Sequence, residues 1–389
     1  MNLLVIGCGQ CGGRIADEFA RLNRKAHAQR GIDIIADTFA INTDVTDLTG
    51  LSFIRHDYQH RILIGGQKTS GHGVGKINEL GAEIAKEESD KIIEAARTTL
   101  HFHEVDAFLL IAGAAGGTGS GAIPVLTQSL KERYAEKPLY NLIVLPFRYE
   151  EEVEERTIYN TATCLKSAYV VADAILLVDN QRYVGKNSSI QRNMAQINSS
   201  VVEPFYNLLC AGEEKKAKFI GSKVLDAGDI IQTLVGWTVI GYGQVRRPRF
   251  SLIFERKRDF MDKATETQKG VQAMIAAIDD LSLKCNPADA KRALYLLSAP
   301  PEEMNMTLVN EIGNSVKRIA TEAIIRSGDY PRGKRSLDVT LVLSELSSVG
   351  KVMDYFTTTI QRLSSYKRRR LEYEPGGLED AFKDIPSLL

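Results

Sequence analysis

Cysteine is scarce and forms no even pattern: Cys8, Cys11, Cys164, Cys210 and Cys285 are the five thiols in 389 residues. That excludes a disulfide scaffold and suits a reducing cytoplasm. No apolar run approaches the ~20 residues needed to span a bilayer. The apolar opening Met1–Gly7 has no basic leader and runs straight into structured sequence, so no signal peptide is expected. Net charge is missing too, with 49 basic residues against 49 acidic ones. A surface built throughout for polyanions is thereby excluded, nucleic acid included, as is the acidic surface of a chain working in multimolar salt. A GxxxxGK[ST] loop is absent, and the CxxC at Cys8–Cys11 has no second pair to complete a structural zinc site. His101 and His103 do not supply that pair. What remains is ordinary globular composition, 44% hydrophobic and 25% charged, at a length suited to two or three domains.

Apolar runs ending in turn residues predict strands at Leu3–Ile6, Ile32–Ile41, Arg61–Ile64, Ala107–Ala112, Leu142–Leu145 and Ala174–Val178. Helical spacing separates them, in Ile15, Phe19 and Leu22, in a long charged helix Asn78–Leu100, and in Ile123–Leu130. This alternation predicts an α/β fold with a doubly wound parallel sheet, whose ligands bind at the carboxyl ends of the strands. Ser189–Leu209 reads as one long amphipathic helix that Pro204 should kink or split. After the polar stretch 211–216, strands at Trp237–Tyr242, Leu294–Ser298 and Leu337–Leu343 alternate with helices Asp262–Leu281, Met306–Ala320 and Ser348–Tyr366. The expected division is a nucleotide-binding domain 1–188, a central helix 189–212, a second, smaller α/β domain 213–372 and a tail 373–389 with a short helix at Leu378–Lys383.

Two glycine loops carry the chemistry. Gly7-Cys8-Gly9-Gln10-Cys11-Gly12 follows a strand and opens a helix, the context of a dinucleotide fingerprint. Glycine lets backbone approach a phosphate, and a helix N-terminus offers it free N–H groups. Gly113 to Gly121, with Gly116, Gly117, Thr118, Gly119 and Ser120, repeats that context after a later strand. One NAD does not need two such loops, whereas a nucleoside triphosphate does. With no P-loop lysine, phosphate charge must be met by N–H groups, hydroxyls and a metal.

Gly116–Gly121 (GGTGSG) after an apolar strand, Gly9–Gly12, Asn42-Thr43-Asp44 and the Gly71–Gly75 loop before Asn78-Glu79-Leu80-Gly81 resemble, in order, the tubulin/FtsZ superfamily. The GCGQCGG opening and the GHGVGxxNELG stretch are most similar to its archaeal CetZ branch. The resemblance implies GTP/GDP binding with Mg2+, polymerisation of the chain with itself head to tail, and hydrolysis completed by the next subunit. It places Gly9, Gln10, Cys11, Gly12, Gly113 and the GGTGSG loop on the phosphates, and Asn42, Asp44, Gly73, Val74 and Gly75 at their far end. Glu150 and Glu151 fall at the ribose; Asn160, Asn180 and Asn198 fall around the base, with Met194 beside it. Asp226 and Asp229 match the carboxylates that place the attacking water for a neighbour. Val224 replaces the asparagine usual before them, which points to slow turnover. Basic clusters Arg246–Arg258 and Lys367–Arg370 suggest a lateral contact and an anionic membrane or acidic partner. A role in cell shape is expected, with division the other possibility. Two alternatives stand beside this: an NAD(P)-dependent oxidoreductase resting on the first loop, and a nucleotide-binding assembly adaptor with little hydrolysis.

Overall fold

The computed structural model describes residues 1–184, 190–246, 260–333, 336–367 and 385–389. They divide into a larger compact unit, Asn2–Lys25, Asp33–Glu203 and Ser348–Leu389, and a smaller one, Met1, Ala26–Ile32 and Pro204–Ser347. Nearly all of the basic cluster Arg246–Arg258, the segment Lys367–Arg370 beyond Lys367, and the tail helix Leu378–Lys383 lie outside the described residues. Among the described residues, no helix is long and apolar enough to cross a membrane.

In the larger unit, β1 (Leu3–Cys8), β2 (Ile35–Asn42), β3 (Arg61–Leu63), β4 (Ala107–Gly113), β5 (Leu139–Leu145) and β6 (Ala174–Asp179) lie in the order β3-β2-β1-β4-β5-β6. Every pairing in this set is parallel. β1, β5 and β6 are buried throughout, which explains their largely apolar sequences; buried Asn141 in β5 donates to the Thr127 hydroxyl at 2.8 Å. Strand order reverses between β1 and β4, and their register pairs Cys8 with Ala112. The two glycine loops therefore leave adjacent strand ends, at the switch point where such sheets bind ligands.

One local expectation is corrected. The helix predicted over Asn78–Leu100 is two, Asn78–Glu87 and Ser89–Arg97. Glu88 breaks it with φ −108° and ψ 14°, and its carboxylate accepts the Gly65 N–H at 2.6 Å. Ile190–Ala211 forms one helix, as expected, and Pro204 does not split it. The helix Gly350–Lys367, inside the expected second domain 213–372, clusters with the larger unit. It packs on the helix Glu155–Val171, and Lys351 Nζ donates to Asp179 Oδ1 at 2.8 Å, beside β6.

In the smaller unit, β7 (Gly236–Arg246), β8 (Ala290–Ala299), β9 (Ile324–Pro331) and β10 (Ser336–Leu346) are ordered β7-β10-β8-β9. β10 runs antiparallel to β7 and β8, while β9 is parallel to β8. The helix Phe260–Asp279 lies so close on β7 that a Cβ at Gly243 would stand 1.9 Å from the Ala273 carbonyl oxygen. β9 was not expected: IIRSGDYP contains no apolar run, because this partly exposed strand buries little of its first half.

Candidate nucleotide site

At the ends of β1, β2, β4 and β5 lies a cavity of about 280 Å3. Its two glycine loops touch each other. A Cβ at Gly9 would stand 2.8 Å from Gly119 N, and one at Gly119 would stand 2.6 Å from Cys8 O. Only glycine at both positions lets the loops pack this closely, and Gly9 also holds φ 69°. The helix Thr118–Arg133 starts here, so its free N–H groups face an anion's place. The Thr118 hydroxyl lies 2.6 Å from that of Thr43.

Three acid groups also line the cavity, Asp44 and Asp47 beyond β2 and Glu150 beyond β5. Asp44 caps the helix Val45–Thr49 by accepting Thr46 N–H at 2.8 Å and Asp47 N–H at 3.2 Å. Asp47 accepts from Gln10 Nε2 at 2.6 Å and Asn42 Nδ2 at 3.0 Å. Glu150 accepts the Phe147 N–H at 2.9 Å. Lys76 is the one cationic side chain among the described residues lining the cavity, against Asp44, Asp47 and Glu150. The oxygen-only donors Asp44, Asp47 and Thr118 fit a hard divalent ion such as Mg2+.

Of the residues expected at the nucleotide, Gly9, Gln10, Cys11, Asn42, Asp44, Gly73, Gly113, Gly116, Gly117, Thr118, Gly119, Glu150 and Asn180 line this cavity. Gly12, Val74, Gly75, Ser120, Glu151, Asn160 and Asn198 do not. Gly12 backs onto β4, Val74 is buried against Gly117, and Gly75 lies exposed in the third loop with φ 57°. The Ser120 hydroxyl donates to the Gly116 carbonyl. Glu151 is engaged by the Tyr355 hydroxyl and lines a different cavity of about 820 Å3. Asn160, expected beside the base, is fully buried under the loops instead. Its Nδ2 donates to the carbonyls of Lys76, Ala115 and Gly116 at 2.9, 3.0 and 3.2 Å. Asn198 is half-buried on the helix Ile190–Ala211 and lines none of the cavities described.

A further cavity of about 410 Å3 is built by the chain neighbours of Pro146, Glu150 and Asn180. Met194 and Ile197 form one part of its wall, and Phe147 and Tyr149, stacked with centroids 5.5 Å apart, form another. Met194, expected beside the base, lines this cavity and not that of the glycine loops; the two rings were not expected, because FRYEEE hides them beside an acidic run. Asp47 and Lys76 were not expected either; the GVGK stretch carried the signal for the lysine.

Two thiols lie in the first loop, Cys8 buried and Cys11 half-buried. Burial first, then Glu150, pushes Cys11 up to about 12 against the opposing pull of Arg14. Burial and then Cys164 push Cys8 far above its ordinary range. Shifts in this direction favour the thiol over the thiolate at both positions. Among the described residues, one group of possible metal ligands has its atoms within 4.8 Å of one another: exposed His101, His103 and Glu104.

Asp226 and Asp229 belong to the smaller unit, which holds none of the cavity's lining residues. Asp226 caps the helix Ala227–Thr233 by accepting Asp229 N–H at 2.8 Å. Asp229 Oδ1 lies 3.5 Å from Arg326 Nε. The preceding loop is pinned to β9 by Asp329, which accepts Ser222 N–H at 2.8 Å and Lys223 N–H at 2.6 Å. Both carboxylates are at least partly exposed, and Val224 beside them is 45% exposed.

Comparison with known proteins agrees with this architecture. Residues 2–187 match the tubulin/FtsZ family, GTPase domain, and residues 187–361 match the C-terminal domain of tubulin-like CetZ. The chain is 33% identical to the tubulin-like protein CetZ1 of Haloferax volcanii, over 93% of this chain and 92% of that one. The solved GDP-bound monomer of that CetZ1 superposes with TM-score 0.78 at 31% identity, covering 93% of this chain and 100% of the other. A GTPγS-bound protofilament of CetZ2 from the same organism gives 0.79 at 25% identity, covering 94% and 100%. With sheet order, glycine loops and both halves of its length in agreement, the chain belongs to the tubulin/FtsZ family, in its CetZ branch.

Proposed function

We propose that the chain binds and hydrolyses GTP and assembles head to tail into filaments, each site being completed by the next subunit. The observation that carries this is the contact of two glycine loops from adjacent parallel strands, a cradle sized for a chain of phosphates. The phosphates lie on the loop amides and the N-terminus of Thr118–Arg133, with Asp44 and Asp47 holding Mg2+. That ion adds positive charge at the transferring phosphate. Glu150 serves the ribose, Asn180 reads the base edge, and the slot of Phe147, Tyr149 and Met194 seats its plane. Asp226 and Asp229 of the following subunit place and activate the water. A heterologous contact of this kind repeats into open filaments.

The dinucleotide reading of the first loop is set aside by the second loop and by membership of a GTPase family. A weakly hydrolysing assembly protein remains the second reading, favoured by Val224 where the resemblance expects asparagine. The reading includes action in the cytoplasm on cell shape, with the basic stretch from Lys367 to Arg370 drawn to an anionic membrane or acidic partner.

Sedimentation with GTP, GDP and a slowly hydrolysed GTP analogue tests the proposal, with phosphate release followed in parallel. GTP and the analogue should pellet the chain, GDP should not, and only GTP should release phosphate. Equal pelleting with all three nucleotides would sink it.

A further inference from the structure

We propose that Lys76 is a nucleotide-state switch in this site: it leaves an ion pair with Glu154 to bind the terminal phosphate of a triphosphate, and returns when that phosphate is lost. The inference rests on the GTP-binding reading above and adds the residue that distinguishes triphosphate from diphosphate.

Charge is the first argument. A nucleoside triphosphate is strongly anionic, and the described residues lining the cavity bring three carboxylates against one ammonium. Mg2+ answers Asp44 and Asp47, which leaves Lys76 as the protein's own counter-charge. Placement is the second. Lys76 directly follows the third glycine loop, and a Cβ on Gly117 would stand 2.9 Å from the Lys76 Cα. Its backbone is thus packed on the loop that opens the helix Thr118–Arg133. The Lys76 carbonyl is held by Asn160 Nδ2 at 2.9 Å, and the same amide group holds Ala115 O and Gly116 O. Lys76 also keeps φ at 62°, a left-handed conformation rare outside glycine, so the root of the side chain is set by its surroundings.

The tip of the side chain is held by one exposed partner. Lys76 Nζ pairs with Glu154, and both side chains are about 40% exposed, at 41% and 37%. A pair this wet is weak, and a phosphate competes with it readily. Glu154 lines the cavity of about 820 Å3 together with Glu79, Glu151 and Glu152. Arg156 and Arg362 line it too, Arg156 being paired with Glu79, so losing Lys76 leaves Glu154 with the Thr157 hydroxyl at 3.2 Å, immediately before the helix Glu155–Val171. Nucleotide state would be felt at that helix start through this one exchange.

Calorimetric titration of the full chain with Mg2+–GTPγS and with Mg2+–GDP tests it. For Lys76→Gln we expect triphosphate affinity to fall about tenfold or more, with GDP affinity changed less than about threefold. Lys76→Arg should restore most of the loss. Glu154→Gln should tighten the triphosphate by about threefold by releasing the lysine. Retained GDP affinity shows that each variant is folded. Equal loss for both nucleotides, or no loss for either, overturns the switch. A wild-type chain that binds neither nucleotide overturns the GTP reading itself, and the switch with it.

Discussion

Replacing Asp229 by alanine should lower GTP turnover by about a hundredfold or more while GTP affinity stays within about twofold. The size follows from losing a carboxylate that positions and accepts a proton from the attacking water, which is worth ~10²–10⁴ in rate. The selectivity follows from where the residue sits. Asp229 lies in the unit that contributes nothing to the nucleotide cavity's lining, so its removal leaves the chain's own cradle unchanged. It is also a clean change structurally. The contact to Arg326 is long, at 3.5 Å, and partly exposed, so it contributes little to stability. Asp226 is a poorer probe, because losing its cap to the Asp229 N–H costs about 1 kcal/mol of helix stability. Filaments of Asp229→Ala chains should persist longer after GTP addition. Phosphate release at the wild-type rate would remove Asp229 from the mechanism.

Replacing Gly12 by alanine destabilises the fold by about 3 kcal/mol or more and abolishes GTP binding. A Cβ there would stand 2.0 Å from the Ile111 carbonyl oxygen and 2.9 Å from its carbon. Those atoms are backbone of β4, paired on both sides to β1 and β5, and have nowhere to go. Relief requires the helix Gly9–Arg30 to lift from the sheet, which pulls the first loop off the second. Gly13 is the control one residue on. Its Cβ would meet nothing closer than Ala40 Cβ at 3.8 Å, so Gly13→Ala should be neutral or gain up to about 1 kcal/mol from helix propensity. Urea unfolding of both variants, followed by circular dichroism, gives the comparison. Equal behaviour of the two alanines would contradict the packing argument.

Among the six parallel strands, those buried on both faces were the most legible, because such a strand is nearly all apolar and stops in turn residues. Leu3–Cys8 and Ala107–Gly113 do both. The glycine loops were legible for a related reason: close backbone approach leaves only glycine, and the resulting spacing survives in sequence. What failed depends on contacts between residues far apart in the chain. Nothing local in Lys86-Glu87-Glu88-Ser89 says that Glu88 will leave the helix to bind the Gly65 N–H. Asn160 has the polarity of a base-reading residue, and only the folded chain shows its amide spent on three loop carbonyls. The helix Gly350–Lys367 follows the second domain in sequence, yet Lys351 and Tyr355 tie it to Asp179 and Glu151 of the larger unit. Lys76 was passed over because it lies after the third loop, away from the place a P-loop lysine occupies.

The central claim is that the nucleotide cavity of one chain is completed by the Asp226–Asp229 turn of another. Initial GTP turnover per chain, measured from concentrations well below the onset of sedimentation to well above it, tests this most directly. The account predicts a rate per chain close to zero below the onset, rising steeply through it and levelling once nearly all chains are assembled. A rate per chain that stays constant across the whole range would show that each chain hydrolyses GTP alone, and would contradict it.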